Sequence, residues 1–180
     1  MNSIKLLDRR MGYFAMAMAL LLAFTLPTFV GAAQVTERSI ALTNSTKGMP
    51  GVSYEVSFKP VVAAGAFVVD FCKNSPLIGA TCEVPSGFSA SAATSSSVGF
   101  TDVEKTATKV VVTGVMPQNT QVTVKLDGIT NPSEAGPLYA RIVTFATDTQ
   151  ADAYTSEVPG SNALDQGGVK AAEEVCANTR

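Results

Sequence analysis

The chain has 180 residues, a formal net charge of −2, 46% hydrophobic and 16% charged residues, and neither histidine nor tryptophan. Without histidine, the commonest general base and metal ligand near neutral pH, it lacks the means for Ser-His-Asp hydrolysis, Cys-His proteolysis and nearly all zinc catalysis. Its slightly acidic balance offers no bulk attraction to nucleic acid or an anionic membrane.

Residues 1–33 read as a secretory signal peptide. Lys5, Arg9 and Arg10 form a basic opening, Met11 to Ala33 carry no charge, and Ala15 to Leu26 are apolar apart from Thr25. Pro27 ends the expected helix, and Gly31-Ala32-Ala33 supplies small residues at positions −3 and −1. Cleavage between Ala33 and Gln34 leaves 147 residues, enough for one domain with a proper core, and shifts the formal charge to about −4. The alternative is an uncleaved anchor, since 23 uncharged residues suffice to cross a hydrocarbon layer of ~30 Å. A type IV pilin leader is excluded because Ala17 stands where its glutamate is required, and a lipoprotein because no cysteine precedes Cys72.

Two-residue alternation dominates the rest. A first strand is expected at Ser39 to Thr43. Val52, Tyr54, Val56 and Phe58 then alternate with Ser53, Glu55, Ser57 and Lys59, as in a half-buried antiparallel strand. Ala66 to Phe71 and Lys109 to Thr113 are more uniformly apolar, like central strands. A short strand fits Val98 to Thr101, and Val122, Val124 and Leu126 repeat the alternation. Leu138 to Thr147 places Tyr139, Val143 and Phe145 on one face and Leu138, Ala140 and Ile142 on the other. Turn residues separate these runs at Gly48 to Gly51, Ala64-Gly65, Pro85 to Gly87, Pro117 to Asn119, Asn131-Pro132 and Gly136-Pro137. About seven short strands so punctuated predict an all-β, antiparallel two-sheet sandwich of the immunoglobulin-like kind at 34–147, preceded by the signal-peptide helix. Ser89 to Ser97 reads as a flexible loop or a weak strand. Residues 148–180 read as a polar tail, poorly ordered or a late hairpin to Gly168, with a short helix at Val169 to Ala177.

Cys72 and Cys82 lie ten apart after a predicted strand, with Pro76 and Gly79 able to fold the segment back. In an exported chain a disulfide is the natural reading, whereas a metal site needs further ligands that no histidine supplies. Cys176 is unpaired in this scheme, which fits an intermolecular bond, a reactive thiol, a missing partner segment or a tail residue without a role. Asp148, Asp152 and Glu157 match no calcium-loop spacing, and Asp70, Asp102, Asp127 and Glu134 are expected to be solvated charges near strand ends. Lys59 falls on the polar side of its strand, against a buried isopeptide bond. Tyr54, Phe58, Tyr139 and Phe145 suit core packing better than a sugar-binding platform. These readings assign no catalytic, cofactor or metal residues.

Phe71-Cys72, Asn74 to Gly79, Cys82, Pro85 and Gly87-Phe88, followed by Gly128 to Pro132, Gly136 and Tyr139 to Ile142, form a combination with a resemblance. Over roughly Val52 to Val169 it resembles uncharacterised exported β-rich surface proteins of candidate-phyla-radiation bacteria. The resemblance implies a β-sandwich at a surface or secreted location and carries over no catalytic residue.

The expectation is therefore a secreted or cell-surface sandwich that is not an enzyme, has a structural or adhesive role, and serves as a subunit of a surface assembly. Self-association or a surface partner protein would be its interactions, with membrane contact only through the signal segment. The alternative is an extracellular carbohydrate-binding module built on loops such as Cys72 to Cys82 and Asn131 to Gly136. The segment Gln34 to Asn44 is expected to complete its own sheet at rest, with exchange between subunits as the route to assembly.

Overall fold

The computed structural model describes residues 32–172; the expected signal helix up to Gly31, Cys176 and the rest of 173–180 lie outside them. The described chain forms strands β1 (Ala33–Gln34), β2 (Thr36–Leu42), β3 (Val52–Lys59), β4 (Ala64–Cys72), β5 (Thr94–Ser95), β6 (Phe100–Lys105) and β7 (Lys109–Met116). They are followed by β8 (Val122–Ile129), β9 (Leu138–Phe145), one helical turn α1 (Asp148–Ala151) and β10 (Asp165–Ala172). Two sheets result, one of six strands in the order β1-β10-β9-β4-β7-β6 and one of four in the order β2-β3-β8-β5. The expected all-β sandwich is present. It has more strands than the expected seven because β1, β5 and β10 join it, and one pairing, β1 with β10, is parallel.

Alternation explains why the layers close. In β3, Val52, Tyr54, Val56 and Phe58 are all buried while Glu55 is exposed. They meet Phe67, Val69 and Phe71 of β4 and Leu138, Ala140 and Ile142 of β9 in the core between the sheets. Edge-on aromatic contacts, Tyr54 with Phe71 at 5.5 Å and Phe58 with Phe67 at 5.1 Å, fill its centre. The odd-numbered residues of β9 face the other way, as the sequence predicts. Val143 and Phe145 join Ala66, Val68 and Val111 in a second apolar layer on the outer side of the six-stranded sheet.

The tail reading requires correction, and the described part of the expected tail, 148–172, follows the late-hairpin alternative. It is not a tail outside the sandwich: residues 146–164 fold back over the outer layer, burying Ala151 and Tyr154 there, and Asp165–Ala172 returns as β10 antiparallel to β9. The helix expected from Val169 is strand through Ala172. Gly167 and Gly168 allow this, because a Cβ on Gly168 would lie 1.9 Å from the Pro76 carbonyl oxygen and one on Gly167 2.5 Å from the Val35 side chain. Glycine here serves close approach, which propensity rules score as weak strand.

The first strand ties the layers together. Val35 donates its N–H to Gln166 in the six-stranded sheet, after which the chain bulges at Glu37, whose φ is 46°, and pairs with β3 in the other sheet. Ser89 to Ser97, the ambiguous stretch, is built into the structure through a bridge of Ser89 with Thr130, the pairing of β5 with β8 and the buried Ala90 and Ala93.

Candidate functional site

Cys72 ends β4 and Cys82 lies across the loop it begins; the two are bonded, with Cα atoms 5.3 Å apart. By loop-closure entropy such a bond contributes about 2.8 kcal/mol. What holds the clasped loop against the sheet is Arg141, in the middle of β9 and fully buried. Its Nε donates to the Ser75 carbonyl at 3.2 Å, and its Nη1 donates to Ala80 at 2.7 Å and Ser156 at 3.2 Å. One guanidinium thus anchors both the disulfide loop and the 146–164 excursion.

Asp70 is the second correction. Expected as a solvated charge, it is 1% exposed. It sits in register with Arg141 on one side and Lys109 on the other, and Lys109 pairs with Glu104 at 2.9 Å, so charges of alternating sign cross the outer face of the sheet. The carboxylate accepts hydrogen bonds from the Tyr154 hydroxyl at 3.1 Å and the Ser156 hydroxyl at 2.6 Å. Burial, and then the neighbouring Asp70 charge, push the Tyr154 hydroxyl pKa well above its ordinary value. A shallow cleft of about 250 Å³ opens beside Asp70, Lys109 and Glu157. Chemically the arrangement is a clamp: Asp70 is occupied by two hydroxyls, and the chain has no histidine to relay a proton to Ser156.

The remaining sequence candidates separate. Lys59 lies on the polar side as expected, ion-paired with Glu37 at 3.1 Å. Tyr54, Phe58 and Phe145 are fully buried and Tyr139 is half-buried, so these residues form no exposed aromatic platform. Asp102 bonds Lys105 at 2.7 Å, which together with the Ser95 N–H lowers its pKa against a smaller opposing effect of burial. Asp127 is held down to about 2, first by the Ser53 hydroxyl, then by Ser96 and Lys125. Among the described residues, the cluster of metal-ligand types is Asp70 with Cys72 and Cys82, whose sulfurs are committed to each other.

Asn131, read from sequence only as a turn residue, is fully buried. It accepts from the Tyr54 hydroxyl at 2.7 Å and donates to the carbonyls of Asn44 at 2.9 Å and Thr46 at 2.8 Å. It therefore pins the loop that contains the Gly48 to Gly51 turn. Burial pushes the Tyr54 hydroxyl pKa upward. Next to this corner, Lys73, Ser86, Glu134 and the rings of Pro85, Pro132 and Pro137 line a hollow of about 140 Å³. The hollow brings the two loops expected to bind a ligand to one place. Sequence reasoning missed Arg141, Tyr154, Ser156 and Asp165. The available signal was a pair of opposite charges, Asp70 and Arg141, inside two otherwise apolar strands.

No protein family and no curated protein matches the sequence. Among solved structures the fold is similar to a crystal structure of the human F-spondin reeler domain, at 10% identity and a TM-score of 0.37, covering 82% of this chain and 94% of that one. The fold and its clamps define a class: a two-sheet β-sandwich with a disulfide-clasped loop anchored by buried charge.

Proposed function

We propose that the chain is exported by residues 1–33 and acts at the cell surface or in secreted form as a non-enzymatic structural or adhesive sandwich, a subunit of a surface assembly. The observation that carries this reading is the placement of the first strand. β2 is an edge strand of the four-stranded sheet, β1 is the edge of the other, and both belong to one continuous segment that closes the two layers. The same segment taken from a neighbour would complete the same edges, joining subunits by main-chain hydrogen bonds. The disulfide suits an oxidising compartment. The test is deletion of Gln34 to Thr43. The truncated protein should lose stability and any oligomer, and a peptide of those residues should restore stability. A truncated protein as stable and as oligomeric as its parent refutes strand exchange.

A second reading rests on the proline-walled hollow. Its lining places Lys73 and Glu134 beside Pro85, Pro132 and Pro137, a setting for a small polar ligand such as a sugar. Glycan-array binding by a monomer, abolished by Glu134→Ala and unaffected by the deletion above, would favour it over assembly.

A further inference from the structure

Asp165 opens β10 and is fully buried, yet its carboxylate is only half satisfied. Oδ2 accepts the N–H groups of Val61 and Val62 at 2.9 Å each and the Thr144 hydroxyl at 3.5 Å. Oδ1 is buried and has no hydrogen-bond partner. A buried carboxylate oxygen left unpaired is destabilising, and the group that relieves it best is a cation with hydrogens to donate.

The residue in register with Asp165 on the neighbouring strand is Ala33, and Gln34 is in register with Gln166. Residues paired in this way project from the same face, so the half-buried Ala33 shares the face from which the carboxylate projects. Ala33 is also the residue expected at position −1 of the signal-peptide site. Cleavage after it removes the pairing bonds of Ala33, its N–H to Leu164 at 3.0 Å among them, and keeps Val35 N–H to Gln166 at 3.1 Å. The chain stays docked at Val35 while the residue in register with Asp165 departs.

We propose that signal-peptide cleavage, on which this inference rests, supplies the missing partner of Asp165: the new α-ammonium of Gln34 closes on Oδ1 and locks the new amino end to β10. In that step water adds across the Ala33–Gln34 peptide bond. The C–N bond breaks, Ala33 leaves with a carboxylate, and the Gln34 nitrogen takes up protons to become the ammonium. The unprocessed chain holds a folded domain with an unpaired buried oxygen, and processing completes it.

The test uses the exported protein. Its intact mass first fixes the start of the chain. Urea unfolding is then compared for the free amine and the selectively N-acetylated amine, each with Asp165 and with Asp165→Asn. Acetylation should lower the folding equilibrium constant about tenfold with Asp165, the scale of one charge-assisted hydrogen bond, and less than about twofold with Asp165→Asn. If the Asp165→Asn protein does not fold, acetylation rates of the parent provide the readout: the native amine should react at least about tenfold more slowly than the unfolded one. A start other than Gln34 overturns the cleavage reading together with the lock. A start at Gln34 with equal effects of acetylation in both proteins, or with an unprotected amine, overturns the lock alone. So does a native protein lacking ammonia relative to the Gln34 start, because cyclisation of Gln34 to pyroglutamate would have consumed the amine.

Discussion

Arg141→Met keeps the apolar stem of the side chain and removes the guanidinium that joins β9 to the disulfide loop and the 146–164 excursion. Three hydrogen bonds from a charged donor are lost, at 2.7, 3.2 and 3.2 Å. Each is worth about 1.5–3 kcal/mol when the alternative is an unsatisfied buried group. The acceptors, however, are the half-buried residues Ser75, Ala80 and Ser156, which regain water when the loops loosen. The net loss should therefore be about 3 kcal/mol, with ~5 kcal/mol as the ceiling for unpairing a buried charge. Urea unfolding measures it, and trypsin cleavage after the exposed Lys73 reports whether the loop lifts before the sandwich opens. Asp70→Asn alone should also destabilise, and the double variant should lose less than the sum, because each single change strands the other charge in the same layer. A loss below about 1 kcal/mol with unchanged cleavage at Lys73, or strictly additive effects, would refute the clamp.

Replacing Cys82 with serine should cost about 2–3 kcal/mol in the same assay, and non-reducing peptide maps of the parent should recover Cys72 linked to Cys82, with Cys176 outside that bond. Gly168→Ala should displace the loop at Pro76 and raise cleavage at Lys73, whereas Gly136→Ala, with nothing within 4 Å of the added Cβ, should be nearly neutral. Asp127, held near 2 in the folded chain, has an ordinary unfolded value of about 3.9. Its contribution is present above that value and fades as pH falls from about 4 to 2, so Asp127→Asn should lower stability by a constant amount above that window and flatten its slope within it. The side chain is a third exposed, so the constant loss above the window is small and best seen at low salt.

The sequence showed those parts of the fold where side chains alternate by burial. β3 was readable at both ends, and the two faces of β9 were read correctly, because in each the apolar residues sort by parity. Cys72 and Cys82 were legible from spacing and context. What stayed hidden were positions whose identity answers a neighbour far along the chain. Gly167 and Gly168 look like loop residues until Pro76 is found resting on the strand. Asp70 looks like surface charge until Arg141 and Tyr154 enclose it, and Asp165 carries no local sign of burial. Such residues are fixed by tertiary approach, which no window of sequence contains.

The pairing of β1 with β10 joins the first described strand to the last. In a chain that crosses a membrane amino end first, the partner of the leading strand arrives only after β2 to β9. On the proposed export route the six-stranded sheet could not close on its β1 side until β10 had crossed, so a chain threaded short of β10 would stay loose enough to keep moving. Long-range closure of this kind is also slow, so on that route the leading strand would remain free for a neighbour's edge until β10 arrives.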